Sequence, residues 1–366
     1  MNVEANYYKH TLFFAFALSL LSLLVFNVDG NLEFKNLLES WNTSHYAVNY
    51  FDFGFVKRGL VGTFYYLLFD ELTQKSLLIY QVSMLIVSLG LCFLFFKKIG
   101  YENSFLFLLF IISPATIMQF SSDLGRFDSL LLCFFLLSIL CLKNRYAFCL
   151  ISCLGVLTHE IYIFLFLPAS FLLFLGQGKE AKGAANFFKE AISEPLLYAI
   201  LFFILMVLLF GKYEDGHSKF MLMLSQKMPV PELSDIPVHS SFWVWTRDIA
   251  ENLKFTYIKF SQPILVMYYF VLLVGLGFYF KLLKVPLLKF HYLLIILTSL
   301  PMFFLGTDWA RWISLMYISI FVTFVYLNRN IEVTENKKKL IAYSFFGPLG
   351  VGGISPLALL ALEHLR

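Results

Sequence analysis

Leu77-Leu-Ile-Tyr-Gln-Val-Ser-Met-Leu-Ile-Val-Ser-Leu-Gly-Leu-Cys-Phe-Leu-Phe-Phe96 contains no charged residue and runs directly into Lys97-Lys98. At about 1.5 Å of rise per residue, one helix of this length covers the roughly 30 Å hydrocarbon core of a bilayer. Similar apolar stretches lie at 11–27, 104–120, 129–142, 147–158, 161–176, 195–211, 264–280, 288–306, 313–328 and 340–362. The first of them ends in Leu-Val-Phe-Asn-Val rather than a small-x-small cleavage site and follows a single lysine, Lys9, so it reads as a retained helix rather than a signal peptide. The expected fold is all-α: a polytopic transmembrane helical bundle of about eleven membrane segments, forming one transmembrane domain over 1–366. The short stretches on either side of His159-Glu160 read as half-length helices that meet inside the membrane.

Composition agrees with that class. Hydrophobic residues make up 59% of the chain and charged residues only 14%, far from the ~25% charged of soluble proteins. The formal charge of +4 is spread over 28 basic and 24 acidic residues and forms no basic face, which excludes nucleic acid as a partner. Cys92, Cys133, Cys141, Cys149 and Cys153 all fall within apolar runs without CxxC spacing, so neither a disulfide framework nor a zinc site is expected.

With the N-terminus inside, the inner connections carry a net charge of +8 and the outer ones −4, as the positive-inside rule requires. Threaded this way, the polar clusters emerge on one side. They are Asp52-Phe-Gly-Phe-Val-Lys57-Arg58-Gly59, Asp123-Leu-Gly-Arg126-Phe-Asp128, the loop 212–261, and Gly306-Thr-Asp308-Trp-Ala-Arg311-Trp312, with His159-Glu160 approaching from within the bilayer. Ionisable groups at membrane depth are costly unless they line a polar cavity, so a shared side implies one extracytoplasmic site built with the outer loops 28–76 and 212–261. All five tryptophans, Trp41, Trp243, Trp245, Trp309 and Trp312, fall on the same side, and Trp309 and Trp312 flank an acid and a base, where they could stack on sugar rings.

Each cluster has a plainer alternative. Asp52, Lys57 and Arg58 could be a loop carboxylate and two snorkelling cations. Asp128 could be a helix N-cap paired with Arg126. Asp308 and Arg311 could form a turn salt bridge, and His159-Glu160 a structural polar plug. On the inner side, 176–193 reads as an amphipathic surface helix. There is no Gly-rich phosphate loop, HExxH helix or Gly-x-Ser-x-Gly elbow, which sets aside ATP-driven, zincin and α/β-hydrolase chemistry.

In layout, the chain resembles the GT-C superfamily of integral-membrane glycosyltransferases over about 11–327. The resemblance rests on a first helix, a long outer loop with acids Glu39 and Asp52, Ser113-Pro114 ending the third helix, the acid-bearing turn Asp123–Asp128, the short helices around His159-Glu160, and a late outer loop with Arg311. It implies that Asp52 is the catalytic base, that Asp128 or Asp123 is the second acid, and that Lys57, Arg58, Arg126 and Arg311 contact phosphate. His159 and Glu160 are further catalytic candidates, and Asp308, Trp309 and Trp312 further substrate contacts. The implied partners are membrane lipid, a polyprenyl-phosphate sugar donor and a glycan or lipid-linked acceptor, at the outward face of a bacterial inner membrane. The first loop has no Asp-x-Asp, which leaves a divalent metal, Mg or Mn, open. O-antigen and capsule polymerases share the size and the outer arginines, and a transporter or flippase of lipid-linked or anionic substrates is the alternative from another class.

Overall fold

The computed structural model describes residues 3–27, 40–69, 71–100, 105–176, 183–227, 242–328, 335–350, 353 and 355. Among them the regular structure is helical, without strands. The chain opens with α1 (Val3–Asn27), then three short helices, α2 (Ser40–Ala47), α3 (Tyr50–Phe53) and α4 (Gly59–Leu68). Next come α5 (Gln74–Lys98), α6 (Phe105–Ile112), α7 (Ile117–Ser122), α8 (Asp128–Leu140), α9 (Arg145–Thr158), α10 (Ile161–Leu165) and α11 (Leu167–Leu175). After α12 (Ala184–Ile192) and α13 (Pro195–Phe210) come α14 (His217–Lys227) and α15 (Ile249–Phe260). The C-terminal part holds α16 (Pro263–Leu282), α17 (Phe290–Ser299), α18 (Met302–Leu305), α19 (Trp309–Leu327) and α20 (Lys337–Phe346).

Four stretches are long and apolar enough to cross a membrane: α5, the combined Phe105–Ser122, α16 and α19; the pair α12–α13, bent by 80°, makes a fifth if counted as one span. The apolar helices Lys9–Val25, Asp128–Leu140, Arg145–Thr158 and Phe290–Leu305 are shorter. A helical bundle is therefore present, while about eleven crossings exceeds what helix length and composition among the described residues establish. Part of the last expected segment, beyond 350, lies outside the described residues, as does Glu39.

Two apolar helices show what the hydrophobic residues face. Every residue of α19 from Trp309 to Val325 is buried, whereas only 22% of the apolar window of α16 is. Ile264, Met267, Phe270, Val271 and Val274 point outward from α16, as Ile79, Ile86, Val87 and Leu94 do from α5. Large apolar side chains arrayed this way suit a lipid surround, because each square ångström kept from water is worth about 25 cal/mol. Inside the bundle, two serines tie α19 to its neighbours: Ser319 Oγ donates to Leu165 O, and Ser314 Oγ accepts from Gly350 N at 2.8 Å.

Helix boundaries follow the local chemistry. Thr73 caps α5 in a reciprocal box with Ser76, and Lys97 and Lys98 occupy its last turn, where the negative end of the helix dipole favours cations. Ser113-Pro114 ends α6 as expected. The amphipathic surface helix is α12, which buries Phe187 and Ala191 and exposes Phe188 and Ile192. Glu194 and Pro195 then start α13 in a new direction. The short helices flanking His159-Glu160 are present as α9 and α10. Gly155 makes their reversal feasible, since a Cβ there would stand 2.7 Å from the ring of Tyr162 that folds back over it.

A topology with outward loops requires that a cysteine replacing the exposed Glu214 react with an impermeant thiol reagent added outside intact cells, and that one replacing the exposed Lys338 react only after permeabilisation. The reverse pattern would move the polar clusters to the cytoplasm.

Candidate functional site

Helices α2–α4 and α14 form a small cap with its own core. Val48, Phe53 and Val56 from the α2–α4 region pack with Tyr213, Phe220 and Leu224, and Trp245 sits fully buried among them. The turn between α3 and α4 docks on the end of α13: Lys57 N donates to Gly211 O at 2.9 Å, and a Cβ on Gly211 would lie 3.2 Å from the Lys57 Cβ, so only glycine permits the approach.

Beneath the cap is a cavity of about 480 Å³. Lys57 and Arg58 enter from the α3–α4 turn, His159 and Glu160 from the break between α9 and α10, and Asp308, Arg311 and Trp312 from the head of α19. Lys212, Arg247, Asp248, Asn252 and Thr307 add to its polar lining, while Phe164, Val207, Leu208 and Met302 supply apolar wall. Three of the sequence clusters and the 212–261 loop thus meet in one place.

Arg58 has a left-handed backbone, φ 65°. Its side chain forks onto Glu160, with Nη2 at 2.5 Å from Oε1 and Nε at 3.0 Å from Oε2, and Nη1 lies 3.5 Å from His45 Nε2. His159 Nδ1 accepts from Ile161 N at 3.2 Å at the start of α10, and the same nitrogen stands 3.2 Å from Glu160 Oε2; Arg58 is the counter-ion of Glu160. Lys57 Nζ donates to Arg247 O at 3.3 Å. Burial pushes the Lys57 ammonium below the usual lysine range, the nearby Glu160 only partly opposing it.

Arg311 is the most constrained group. It is 5% exposed, and its Nε and Nη2 meet both oxygens of Asp128, itself 2% exposed, at 2.7 and 2.5 Å. Gln119 Nε2 adds a bond to Asp128 at 3.2 Å. Nη1 of Arg311 reaches Asp308 at 3.2 Å, Arg126 reaches the same Asp308 oxygen at 3.0 Å, and Arg126 also pairs with Asp123. The result is a chain of alternating charge, Asp123–Arg126–Asp308–Arg311–Asp128. Both plainer alternatives change accordingly. Asp128 is not a cap for its own helix, whose N-cap is Phe127, nor the partner of Arg126. The Asp308–Arg311 pair exists, but Arg311 is held chiefly by Asp128.

Asp52 stands apart from the cavity lining. Its carboxylate accepts from Asn49 Nδ2 at 2.7 Å and Lys227 Nζ at 3.0 Å. Burial alone would raise its pKa, but these two donors outweigh that and hold it below the usual carboxylate range. Asp123, Arg126 and Asp128 likewise lie behind Arg311 and Asp308 rather than in the lining.

The tryptophans divide. Trp243 stacks on His217 at 3.6 Å with Arg247 over its other side, 5.1 Å from the ring centre, and Trp245 belongs to the cap core. Trp312 lines the cavity. Trp309 instead packs on Phe260 and Tyr269 in a separate apolar groove of about 440 Å³ between α16, α17 and α19. Helix α18 is the partition: Met302 and Leu305 face the cavity, and Phe303 and Phe304 face the groove. The side chain of Trp41 lies outside the described part of the structure. Lys212, Arg247 and Asp248 were not singled out from the sequence; only the charge of their loop pointed to them. Among the described residues, no group of three or more His, Cys, Asp or Glu is placed to hold a metal ion.

Replacing Asp128 with Asn should lower the thermal stability of the detergent-purified protein by the equivalent of about 3–5 kcal/mol, because it leaves the Arg311 charge buried without its counter-ion. Asp308→Asn, whose side chain is 47% exposed, should cost at most about 1 kcal/mol. Equal Tm values for the two variants would show that the Asp128 pair does not hold the head of α19. No protein-family model matches the chain, and neither does any curated protein or solved structure.

Proposed function

We propose that this chain is a multi-pass membrane glycosyltransferase that takes a sugar from a polyprenyl-phosphate donor and passes it to a cell-surface glycan or lipid-linked acceptor at the outward face of a bacterial inner membrane. One observation carries the reading: a cavity lined by five cations, Lys57, Arg58, Lys212, Arg247 and Arg311, stands against an apolar groove with only α18 between them. That juxtaposition suits an amphiphile with an anionic head and a long apolar tail. The shorter helices, α8 to α11 and α17, complete the bundle around it, so the polytopic layout read from the sequence remains part of the proposal.

Within the cavity the acid best disposed to act as base is Asp308. Its side chain is 47% exposed and borders the cavity, and Arg126 and Arg311 both bind its Oδ2, so that Oδ1 faces no arginine; Glu160 has both oxygens on Arg58, Asp248 caps α15, and Asp52 lies outside the lining. Asp308 takes the proton of the acceptor hydroxyl as that oxygen attacks the anomeric carbon; the bond from this carbon to the donor phosphate oxygen breaks, and the departing phosphate keeps the electron pair. Arg311, Arg58 and Lys57 offset the charge that develops there. Asp128 contributes by fixing the Arg311 guanidinium, and His159 by bonding the start of α10 and placing Glu160 on Arg58. A Mg or Mn ion, left open by the sequence, is tested by repeating the assay in EDTA.

Protein reconstituted in nanodiscs should bind undecaprenyl phosphate saturably and transfer sugar from an undecaprenyl-phosphate-linked donor. Asp308→Asn should retain lipid binding yet lose transfer by about 10²–10⁴-fold, the usual cost of removing a general base, whereas Asp52→Asn should keep most activity. The opposite pattern would return the base to Asp52. Absence of saturable lipid-phosphate binding by the wild type would sink the reading.

A further inference from the structure

Trp309 and Trp312 stand three residues apart at the head of α19, and their indole N–H groups have different fates. Trp309 Nε1 donates to Gly306 O at 2.8 Å. Trp312 is 4% exposed and lines the cavity beside Arg311, and its buried Nε1 has no acceptor among the described residues. An indole N–H can only donate, and buried ones nearly always have a partner, since an unpaired donor keeps the cost of leaving water. The ring is also confined. A Cβ on Gly306 would stand 2.9 Å from Trp312 Cη2, and Phe303 meets the ring edge-on at 5.9 Å between centroids.

We infer that the missing partner is an oxygen of the ligand: Trp312 Nε1 donates to a non-bridging oxygen of the donor phosphate and thereby orients the head group. The inference rests on the lipid-phosphate reading given above. Arg311 commits three of its N–H groups to Asp128 and Asp308 and keeps the others for the same phosphate. The two contributions differ in kind. Cations attract an anion from any direction, whereas one neutral donor on a confined ring selects an orientation and admits only an acceptor atom at that point. This assigns Trp312 a hydrogen-bonding role rather than sugar stacking.

The test uses nanodisc-embedded wild type, Trp312→Phe and Trp309→Phe, titrated with undecaprenyl phosphate, and the Tm of each without ligand. Trp312→Phe should weaken lipid-phosphate binding about tenfold or more, the range for a hydrogen bond to a charged group, on top of the lower unliganded Tm that the smaller ring brings. Trp309→Phe should lower the Tm, because Gly306 O loses its donor. A benzothiophene in place of the Trp312 indole, introduced by amber suppression, keeps the ring shape and removes only the N–H; it should reproduce the affinity loss even if Trp312→Phe repacks. Unchanged affinity in the benzothiophene variant overturns the inference and leaves the proposed function standing. Failure of the wild type to bind undecaprenyl phosphate overturns both.

Discussion

Arg311 and Asp128 are both almost fully buried, and their two hydrogen bonds of 2.7 and 2.5 Å are what allow a charged pair to exist at that depth. Dehydrating each ion costs several kcal/mol, and mutual attraction offsets this only when geometry is good and the remaining oxygens are satisfied. Here the fork is bidentate and Gln119 contributes a third bond. Such a pair adds little net stability compared with apolar packing, yet separating its partners is expensive. It therefore acts as a positional constraint: the first turn of α19 can sit in only one register against the first turn of α8. Asp308 and Trp312 take their places in the cavity from that register.

The head of α19 then distributes its faces by helical periodicity. Asp308, Arg311 and Trp312 are spaced i, i+3, i+4 and look into the cavity, whereas Trp309, Met316 and Ile320 lie along the groove. The partition α18 is a single short turn with two residues for each side. One helix and one turn are thus enough to bring a cationic chamber and an apolar slot into contact, without a separate domain for either.

Much of this was readable beforehand, for identifiable reasons. Uncharged runs such as 77–96 have one physical solution, so the helical membrane class followed directly. The His159-Glu160 break and the Asp308-Trp-Ala-Arg311-Trp312 cluster were legible because ionisable groups among apolar residues need a polar destination. Partners were not legible. Asp128 and Arg311 are 183 positions apart, and their nearer neighbours, Arg126 and Asp308, offer equally plausible pairings in the sequence. Asp52 was linked to Lys57 by closeness in the chain, but Asn49 and Lys227 draw its carboxylate away from the cavity. Helix length and composition establish four or five crossing stretches among the described residues rather than about eleven for a related reason: a short apolar segment such as 147–158 can bury itself against protein, and hydropathy alone does not separate that from lipid.

Arg58 shows how local preference yields to the site. A non-glycine residue at φ 65° costs about 1–2 kcal/mol, and the chain uses glycine for the left-handed turn four residues earlier, at Gly54. The other two non-glycine residues with positive φ among the described ones, Lys284 and Asn336, lie in exposed turns at helix ends, where such conformations are ordinary. At position 58 a glycine would relieve the backbone and remove the guanidinium that holds Glu160. The strain persists because it is overdetermined: the preceding residue is tied to Gly211, and the side chain is forked onto the α9–α10 break. A residue kept for its side chain against its own backbone preference, at the rim of a charged cavity, marks where the fold sets local stability below the placement of a functional group.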